Sequence, residues 1–255
     1  MLLCRLVWTM SENMLQPAVV LIETSHPGNI GATARAMKNM GLRDLRLVNP
    51  KQFPCAEATA RASGADDVLA AVRQFDSIEA AIAGATLVVG ASARSRSLPV
   101  PILDPRRCAE QVCTHPDTGR VAILFGRERT GLTNEELDLC HYLVQIPVNP
   151  EYPSLNIAAA VQVICYELRV AALAGAGTSQ SDIDRDYATS EQMEQFYRHL
   201  EQTLVELEFL DPDNPRQLMR RLRRLFNRAR PDQNEINILR GILTAANRKA
   251  PENSG

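Results

Sequence analysis

AVVLIETSHPGNIGATAR, residues 18–35, is the stretch that decides the fold. The five consecutive aliphatic residues Ala18–Ile22 are typical of a strand buried on both faces, as in a parallel sheet. A turn rich in polar and small residues follows. The next segment predicts a helix over Asn29–Met40, with Asn29 as its N-cap and Gly41 as its end. A strand, a turn and a helix in this order form the repeating unit of α/β folds.

The same alternation continues to about residue 169. Four more aliphatic runs predict strands at Leu45–Val48, Thr86–Gly90, Val121–Phe125 and Leu143–Ile146. The segments between and after them predict helices at Cys55–Ser63, Ser77–Ala83, Pro105–Cys113, Asn134–Cys140 and Ser154–Val170. Ser154 is expected to be the N-cap of the last of these. The sequence therefore predicts an α/β fold with a mostly parallel sheet covered by helices on both faces.

Nothing after the long helix resembles a strand. The pair Thr189-x-x-Gln192 resembles a capping box that opens a helix, Leu218, Leu222 and Leu225 mark a second, and a third follows Pro231. The expected organisation is a disordered lead-in over residues 1–14, an α/β domain over 15–171, a linker over 172–186, a small all-α extension over 187–248 and a tail over 249–255.

Composition narrows the class of protein. A chain of 255 residues with 45% apolar and 23% charged residues is ordinary for a globular protein of one or two domains. No apolar run approaches the roughly 20 residues that span a bilayer, so no membrane partner is expected. The six cysteines include no C-x-x-C pair and the four histidines no zinc spacing. We therefore expect reduced thiols, no metal and a cytoplasmic location.

Charge is unevenly distributed along the chain. The net charge is −2, yet residues 214–249 hold ten basic residues against two acids. If Leu218, Leu222 and Leu225 face the protein, the arginines of this helix spread over its remaining surface: Arg220, Arg221, Arg223, Arg224 and Arg228. A solvated face usually mixes both signs of charge, so this pattern favours contact with nucleic-acid phosphates.

Four turns rich in glycine, asparagine and serine follow predicted strands. They are Glu23–Arg35, Gly90–Arg96, Gly126–Leu132 and Asn149–Asn156. In a parallel sheet they emerge at the same edge, which predicts one ligand site there. The chain has no P-loop, no G-x-G-x-x-G and no G-x-S-x-G, which weighs against nucleotide hydrolysis, nicotinamide chemistry and a serine hydrolase. Gly31 lies one helical turn before Arg35, and its missing side chain is expected to leave room for a ligand at that guanidinium.

Three motifs in this region carry a family resemblance. NIGATAR at Asn29–Arg35, LFGRERTGL at Leu124–Leu132 and SLNIAAA at Ser154–Ala160 resemble, in this order, the motifs of the SPOUT methyltransferases. From about residue 15 to residue 248 the chain resembles the bacterial tRNA (cytidine/uridine-2'-O-)-methyltransferase J group. The resemblance implies a C-terminal trefoil knot in the sheet domain, S-adenosylmethionine as cofactor, tRNA as partner and a homodimer.

The resemblance also implies roles for individual residues. The residues expected to bind the cofactor are Ala91, Ser92, Ala93, Gly126, Glu128, Ile146, Pro153, Ser154 and Leu155. Arg35, Ser154 and Asn156 match catalytic positions, and Arg35 is expected at the interface, serving either protomer. Asn29 and Arg35 join the five arginines of the basic helix as expected RNA contacts. The implied reaction is methylation of the ribose 2'-hydroxyl at the first nucleotide of the anticodon loop.

The role of Arg35 has two alternatives. A guanidinium is normally a donor without an acceptor, so Arg35 either clamps the adjoining phosphate or, if strongly perturbed, takes the proton of the 2'-hydroxyl. The function has alternatives too. The motifs also suit a 2'-O-methyltransferase for another tRNA site or for rRNA, and an RNA-binding protein that keeps the fold without catalysis.

Overall fold

The computed structural model describes residues 16–93, 100–117, 120–175, 186–213 and 215–249. The predicted lead-in over residues 1–14 lies outside the described residues. So do most of the predicted linker and all but the first residue of the predicted tail. No helix in the described ranges is long and apolar enough to cross a bilayer.

A seven-stranded sheet forms the centre of the molecule, and every pair of neighbouring strands in it is parallel. The strands are β1 (Ala18–Ile22), β2 (Leu45–Val48), β3 (Arg73–Phe75), β4 (Leu87–Ala91), β5 (Ile102–Leu103), β6 (Val121–Phe125) and β7 (Tyr142–Val144). Their order across the sheet is β3-β2-β1-β6-β4-β7-β5. The predicted parallel sheet is confirmed. The strand order does not trace a knot, so the trefoil knot stays a prediction.

The strands that sequence reasoning missed both lie at the sheet edges. β3 has the sequence RQF and is largely exposed, and β5 has only two residues. Neither offers the aliphatic run that marks a buried strand. The predictions for β1, β2 and β6 are confirmed residue for residue, while β4 begins one residue later than predicted and β7 ends at Val144.

Ten helices surround the sheet in the described ranges. Those of the α/β part are α1 (Pro27–Met40), α2 (Ala56–Ala62), α3 (Asp66–Ala70), α4 (Ile78–Ile82), α5 (Pro105–Cys113), α6 (Asn134–Asp138) and α7 (Ile157–Leu173). The C-terminal part holds α8 (Ser190–Glu206), α9 (Leu218–Ala229) and α10 (Gln233–Lys249). Only α3 was not predicted, and α7 extends two residues into the predicted linker.

Two predicted helix starts are wrong. α1 begins at Pro27, because a proline at the first position has its φ already set for a helix, and His26 is the N-cap. Asn29 therefore lies inside the first turn, which frees its side chain for other contacts. α7 begins at Ile157, and its N-cap is Asn156, whose side-chain oxygen accepts a hydrogen bond from the Ala158 amide at 2.9 Å. Ser154 does not cap this helix.

The core has two layers, one on each face of the sheet. Alternate residues of β1 enter opposite layers: Val19 and Leu21 pack with α1, α5 and α7, whereas Val20 and Ile22 pack with α4 and α6. The described cysteines are free, and four of the five are buried. Cys108 lies in the same layer as Val19 and Leu21, and burial there raises the pKa of its thiol to about 12. These thiols behave as small apolar core residues.

The C-terminal helices have a core of their own. Met193, Phe196 and Leu200 of α8 pack against α9 and α10, and the rings of Phe196 and Phe226 meet edge to face at 4.8 Å. The packed face of α9 runs through Met219, Leu222 and Phe226. The expectation that Leu225 faces the protein is wrong, since it lies beside this face and is 46% exposed. The predicted all-α extension is confirmed.

One buried histidine lies where the two parts of the chain meet. The His115 ring is 6.1 Å from the Tyr187 ring, and its Nε2 lies 3.1 Å from the Thr86 hydroxyl. Burial lowers the pKa of His115 to about 4. The ring is therefore neutral at neutral pH and serves packing.

The expectation that Gly31 leaves room for a ligand is wrong. Gly31 is buried where α1 crosses α2, and a methyl group there would overlap the carbonyl oxygen of Ala58. The absent side chain thus allows two helix backbones to touch. Gly241, in the middle of α10, has no neighbouring atom in its Cβ space.

We expect the same substitution at these two glycines to have opposite effects. Gly31→Ala should lower the free energy of unfolding by about 1–3 kcal/mol, because the helices must separate. Gly241→Ala should raise it by roughly 0.5–1 kcal/mol, because alanine removes the entropic cost of a mid-helix glycine. Urea unfolding followed by circular dichroism would measure both. A Gly31→Ala variant as stable as the parent would contradict the close packing of α1 on α2.

Candidate active site

The turns at the carboxyl edge of the sheet enclose an open cavity of about 200 Å³. Its walls come from the residues after β4, the turn after β6 and the segment after β7, and α7 closes its base. All nine residues expected to bind the cofactor line it: Ala91, Ser92, Ala93, Gly126, Glu128, Ile146, Pro153, Ser154 and Leu155. The structure thus brings them together, while their role in binding stays a prediction. The rest of the predicted Gly90–Arg96 turn lies outside the described residues.

The turn after β6, residues 126–132, folds tightly back on itself. Arg127 and Gly131 exchange two backbone hydrogen bonds of 2.9 and 3.2 Å, and Gly131 has a φ of +68°, which favours glycine. A Cβ on Gly126 would overlap the backbone of Gly131 and Leu132. The glycines of GRERTGL are therefore required by the turn itself, apart from any contact with a ligand. We call residues 126–132 the cavity turn.

An arginine that sequence reasoning did not single out braces the cavity turn. Arg127 donates two hydrogen bonds to Glu23, at 2.7 and 2.9 Å, and two to Glu136 of α6, at 2.9 and 3.1 Å. The carboxylates of both glutamates raise the pKa of the Arg127 guanidinium. The pattern Thr133-x-x-Glu136, which forms a capping box in the structure, is a sequence signal that could have drawn attention to Glu136. Nothing in the sequence pairs residue 23 with residue 127.

A hydrogen-bond network joins the three family motifs. The Glu128 carboxylate accepts hydrogen bonds from the Asn29 amide at 3.0 Å, from the Ser25 backbone at 3.1 Å and from the Ser25 hydroxyl at 3.0 Å. The Asn156 amide donates to the Asn29 side-chain oxygen at 2.9 Å. Each motif therefore contributes one side chain to a continuous chain of contacts at the cavity rim.

The network also sets the charge of Glu128. Partial burial acts to raise its pKa, but the hydrogen bonds that the carboxylate accepts outweigh burial and lower it. Glu128 is therefore ionised at neutral pH and presents a negative charge to the cavity that it lines. Its partners are the backbone amides of Ser25 and His26, the Ser25 hydroxyl and the Asn29 amide, whereas Arg127 pairs with Glu23 and Glu136.

The expected catalytic residues lie in three different settings. Ser154 lines the cavity, and Asn156 belongs to the network at its rim. Arg35 lies on α1 six residues beyond Asn29, is exposed to solvent, and is not among the residues that line the cavity. Within the described part of one chain, Arg35 thus takes no part in the cavity lining that contains Ser154.

Three of the five arginines of α9 are held by carboxylates. Arg220 and Arg224 pair with Asp138 of α6. Arg223 forms a two-point ion pair with Glu194 and stacks over the Tyr197 ring at 4.5 Å. Arg221 and Arg228 are exposed. The expectation that these arginines spread over the surface of the helix is therefore wrong for Arg220, Arg223 and Arg224, which point toward acidic partners that the local sequence does not contain.

Comparison with known proteins identifies the family. Residues 16–166 match the SpoU rRNA Methylase family, and residues 191–255 match the C-terminal domain of tRNA methyltransferase TrmJ. The tRNA (cytidine/uridine/adenosine-2'-O-)-methyltransferase TrmJ of Pseudomonas aeruginosa is 52% identical over 241 residues, covering 91% of this chain and 94% of that protein. The tRNA (cytidine/uridine-2'-O-)-methyltransferase TrmJ of Escherichia coli is 53% identical over 229 residues, covering 89% and 93%.

A solved structure supports the same assignment. The crystal structure of TrmJ from Z. mobilis superposes with a TM-score of 0.79 at 35% identity, covering 90% of this chain and 98% of that one. The match includes both the sheet domain and the C-terminal helices. The resemblance expected from the three motifs is confirmed: the chain belongs to the TrmJ family of SpoU methylases.

Proposed function

We propose that this chain transfers the methyl group of S-adenosylmethionine to a ribose 2'-hydroxyl of tRNA, on cytidine or uridine at the first nucleotide of the anticodon loop. The observation that carries the proposal is the joining of the cavity to the Asn29–Glu128–Asn156 network. The TrmJ relatives that cover nearly the whole chain are tRNA 2'-O-methyltransferases, which supports tRNA as substrate and the 2'-oxygen as acceptor. A cytoplasmic location belongs to the same proposal.

The cavity residues suit this cofactor. Ala91, Ala93 and Gly126 allow close approach of a flat base, and apolar side chains such as Ile146 and Leu155 complete the lining. The ionised Glu128 complements a positively charged ligand group. When bound, S-adenosylmethionine would supply a methyl group activated by a sulfonium.

The chain's own residues would orient the acceptor. A methyl transfer needs the oxygen held in line with the methyl carbon and a path for its proton. Asn29 and Asn156 are fixed by their mutual hydrogen bond, and Ser154 lies in the cavity wall beside them. We propose that Arg35 clamps the adjoining phosphate, since a guanidinium is suited to phosphate and lacks an acceptor atom.

A homodimer is the second part of the proposal. Arg35 is exposed and lies outside the cavity lining of its own chain, which supports its serving the cavity of a partner. The trefoil knot of the sheet domain, implied by the family motifs, belongs to the proposal as well.

Methyl transfer to defined RNA tests the proposal. Labelled S-adenosylmethionine and unmodified tRNA transcripts would be incubated with the full chain, and the product mapped by ribonuclease digestion and mass spectrometry. We expect a 2'-O-methyl mark at the first anticodon-loop nucleotide. A mark elsewhere in tRNA, or in rRNA only, would overturn the proposed site. Cofactor binding without transfer to any RNA would overturn the proposed activity and favour a non-catalytic RNA-binding protein.

We expect Arg35→Ala to abolish turnover while leaving the Kd for S-adenosylmethionine, measured by calorimetry, within about twofold of the parent. The reason is that Arg35 lies outside the cavity lining of its own chain and, in the proposed complex, contacts a phosphate of the acceptor strand and not the cofactor. Arg43→Ala is the matched control, since Arg43 is exposed beyond the other end of α1. Near-normal turnover of Arg35→Ala would remove Arg35 from the mechanism.

Two substitutions at Asn156 separate its two roles. Asn156→Asp keeps the side-chain oxygen that caps α7 but loses the amide that donates to Asn29, so we expect an unchanged Tm and reduced turnover. Asn156→Ala loses both, and should also lower stability by about 1 kcal/mol. Thermal unfolding and the transfer assay measure the two effects. Full turnover by the aspartate variant would show that the bond to Asn29 is dispensable.

We expect Arg221→Gln with Arg228→Gln to weaken tRNA binding and to reduce the slope of log affinity against log salt by about 1 for each phosphate that is no longer bound. Cofactor affinity should stay the same, because both side chains are on the exposed face of α9. Filter binding over a salt series measures the effect, with Arg43→Gln as control. An unchanged slope would exclude these arginines as phosphate-binding residues.

A further inference from the structure

The short helix α6 carries two buried acidic side chains that point to different parts of the molecule. Glu136 forms an ion pair with Arg127 of the cavity turn at 2.9 Å. Its carboxylate also accepts a hydrogen bond from the Thr133 backbone amide at 2.7 Å, and this bond is part of the N-terminal cap of α6. Asp138, two residues later, binds the basic helix α9. The Glu136 and Asp138 side chains are each 9% exposed, so both interactions are shielded from solvent.

Three residues of α9 contact Asp138 of α6. Arg220 and Arg224 bind its carboxylate, and Asn227 donates to its backbone oxygen at 3.1 Å. Their spacing of i, i+4 and i+7 puts them on one face of α9. Asn227 is fixed in turn by the Tyr197 hydroxyl of α8, at 2.8 Å. The basic helix is thus held by a single residue of the sheet domain at three points.

We propose that α6 fixes the position of the basic helix relative to the cavity, with Asp138 as the positioning residue that places the exposed arginines of α9 for productive tRNA binding. The proposal rests on the proposed function. Its physical basis is that α6 has only five residues, so Glu136 and Asp138 cannot move independently. The two contacts therefore fix how far α9 lies from the cavity turn.

Asp138 is the group on which this contact depends electrostatically. It faces two guanidiniums, and the Arg220 and Arg224 side chains are only 31% and 16% exposed. Two nitrogens of Arg224 are buried and, among the described residues, have no hydrogen-bond partner. Removing the one carboxylate would leave two positive charges together in a poorly hydrated setting, which favours separation of α9 from α6.

The test is Asp138→Asn in the full chain, because this change keeps the size of the side chain and removes its charge. A carboxylate removed from among arginines cannot weaken general attraction to RNA, so we expect the Kd for tRNA to be unchanged or lower. We expect the Kd for S-adenosylmethionine to stay within about twofold, and kcat at saturating tRNA to fall at least about tenfold, since misplaced substrate reacts slowly. Tight binding with slow transfer is the signature of lost positioning.

Two further sets of variants complete the design. Arg220→Gln with Arg224→Gln breaks the same contact from the other helix, and combining it with Asp138→Asn should lower kcat no further than Asp138→Asn alone. Asp67→Asn is the matched control, because it removes an exposed ion pair with Lys38 far from α6 in sequence and should leave kcat unchanged. If Asp138→Asn does not fold, the arginine pair alone provides the test.

The outcomes separate this proposal from the proposed function. A parent chain that methylates no tRNA overturns the proposed function. A parent that is active together with an Asp138→Asn variant of equal kcat overturns the positioning role. Loss of cofactor affinity in the variant, in step with kcat, would also overturn it, because Asp138 would then act on the cavity itself. Additive losses on combining Asp138→Asn with Arg220→Gln and Arg224→Gln would show that Asp138 does not act through these arginines.

Discussion

The carboxylate of Glu128 binds the turn after β1 to the turn after β6, and the active-site arrangement depends on this contact. β1 and β6 are neighbours in the parallel sheet, so their carboxyl ends lie side by side. Backbone amides of Ser25 and His26 point at Glu128, and Asn29 extends the contact to Asn156 at the start of α7. Without this carboxylate, partly buried amides and Asn29 would lose their acceptor, and the rim of the cavity would lose its shared anchor.

The strands in the centre of the sheet were predictable because burial on both faces demands aliphatic residues. β1, β2 and β6 have this signature, whereas the edge strand β3 has the polar sequence RQF. The N-caps His26 and Asn156 could not be predicted, because several residues near each helix start can cap a helix and local sequence does not rank them. The cavity residues were predictable from the family resemblance, and they follow β4, β6 and β7 at one edge of the sheet.

Contacts between distant segments could not be predicted. Arg127 pairs with Glu23, 104 positions away, and Arg220 pairs with Asp138, 82 positions away. The sequence shows an excess of arginine after residue 214. It does not show that Arg220, Arg223 and Arg224 form ion pairs with carboxylates of α6 and α8. Gly31 shows the same limit: its small size was visible in the sequence, but whether a ligand or α2 fills the space depends on the tertiary packing.

The neutral histidine at the junction between the sheet domain and the C-terminal helices makes that junction sensitive to acid. Burial holds the pKa of His115 near 4, below the ordinary value of about 6.5 that applies in an unfolded chain. Above pH 6.5 His115 is neutral in both the folded and the unfolded chain, so its titration does not weaken the packing against Tyr187. As the pH falls from about 6.5 toward 4, His115 becomes protonated in the unfolded or opened form but stays neutral in the packed form. The free energy needed to open the contact therefore decreases. Mild acidification therefore favours opening of the contact between the His115 and Tyr187 rings.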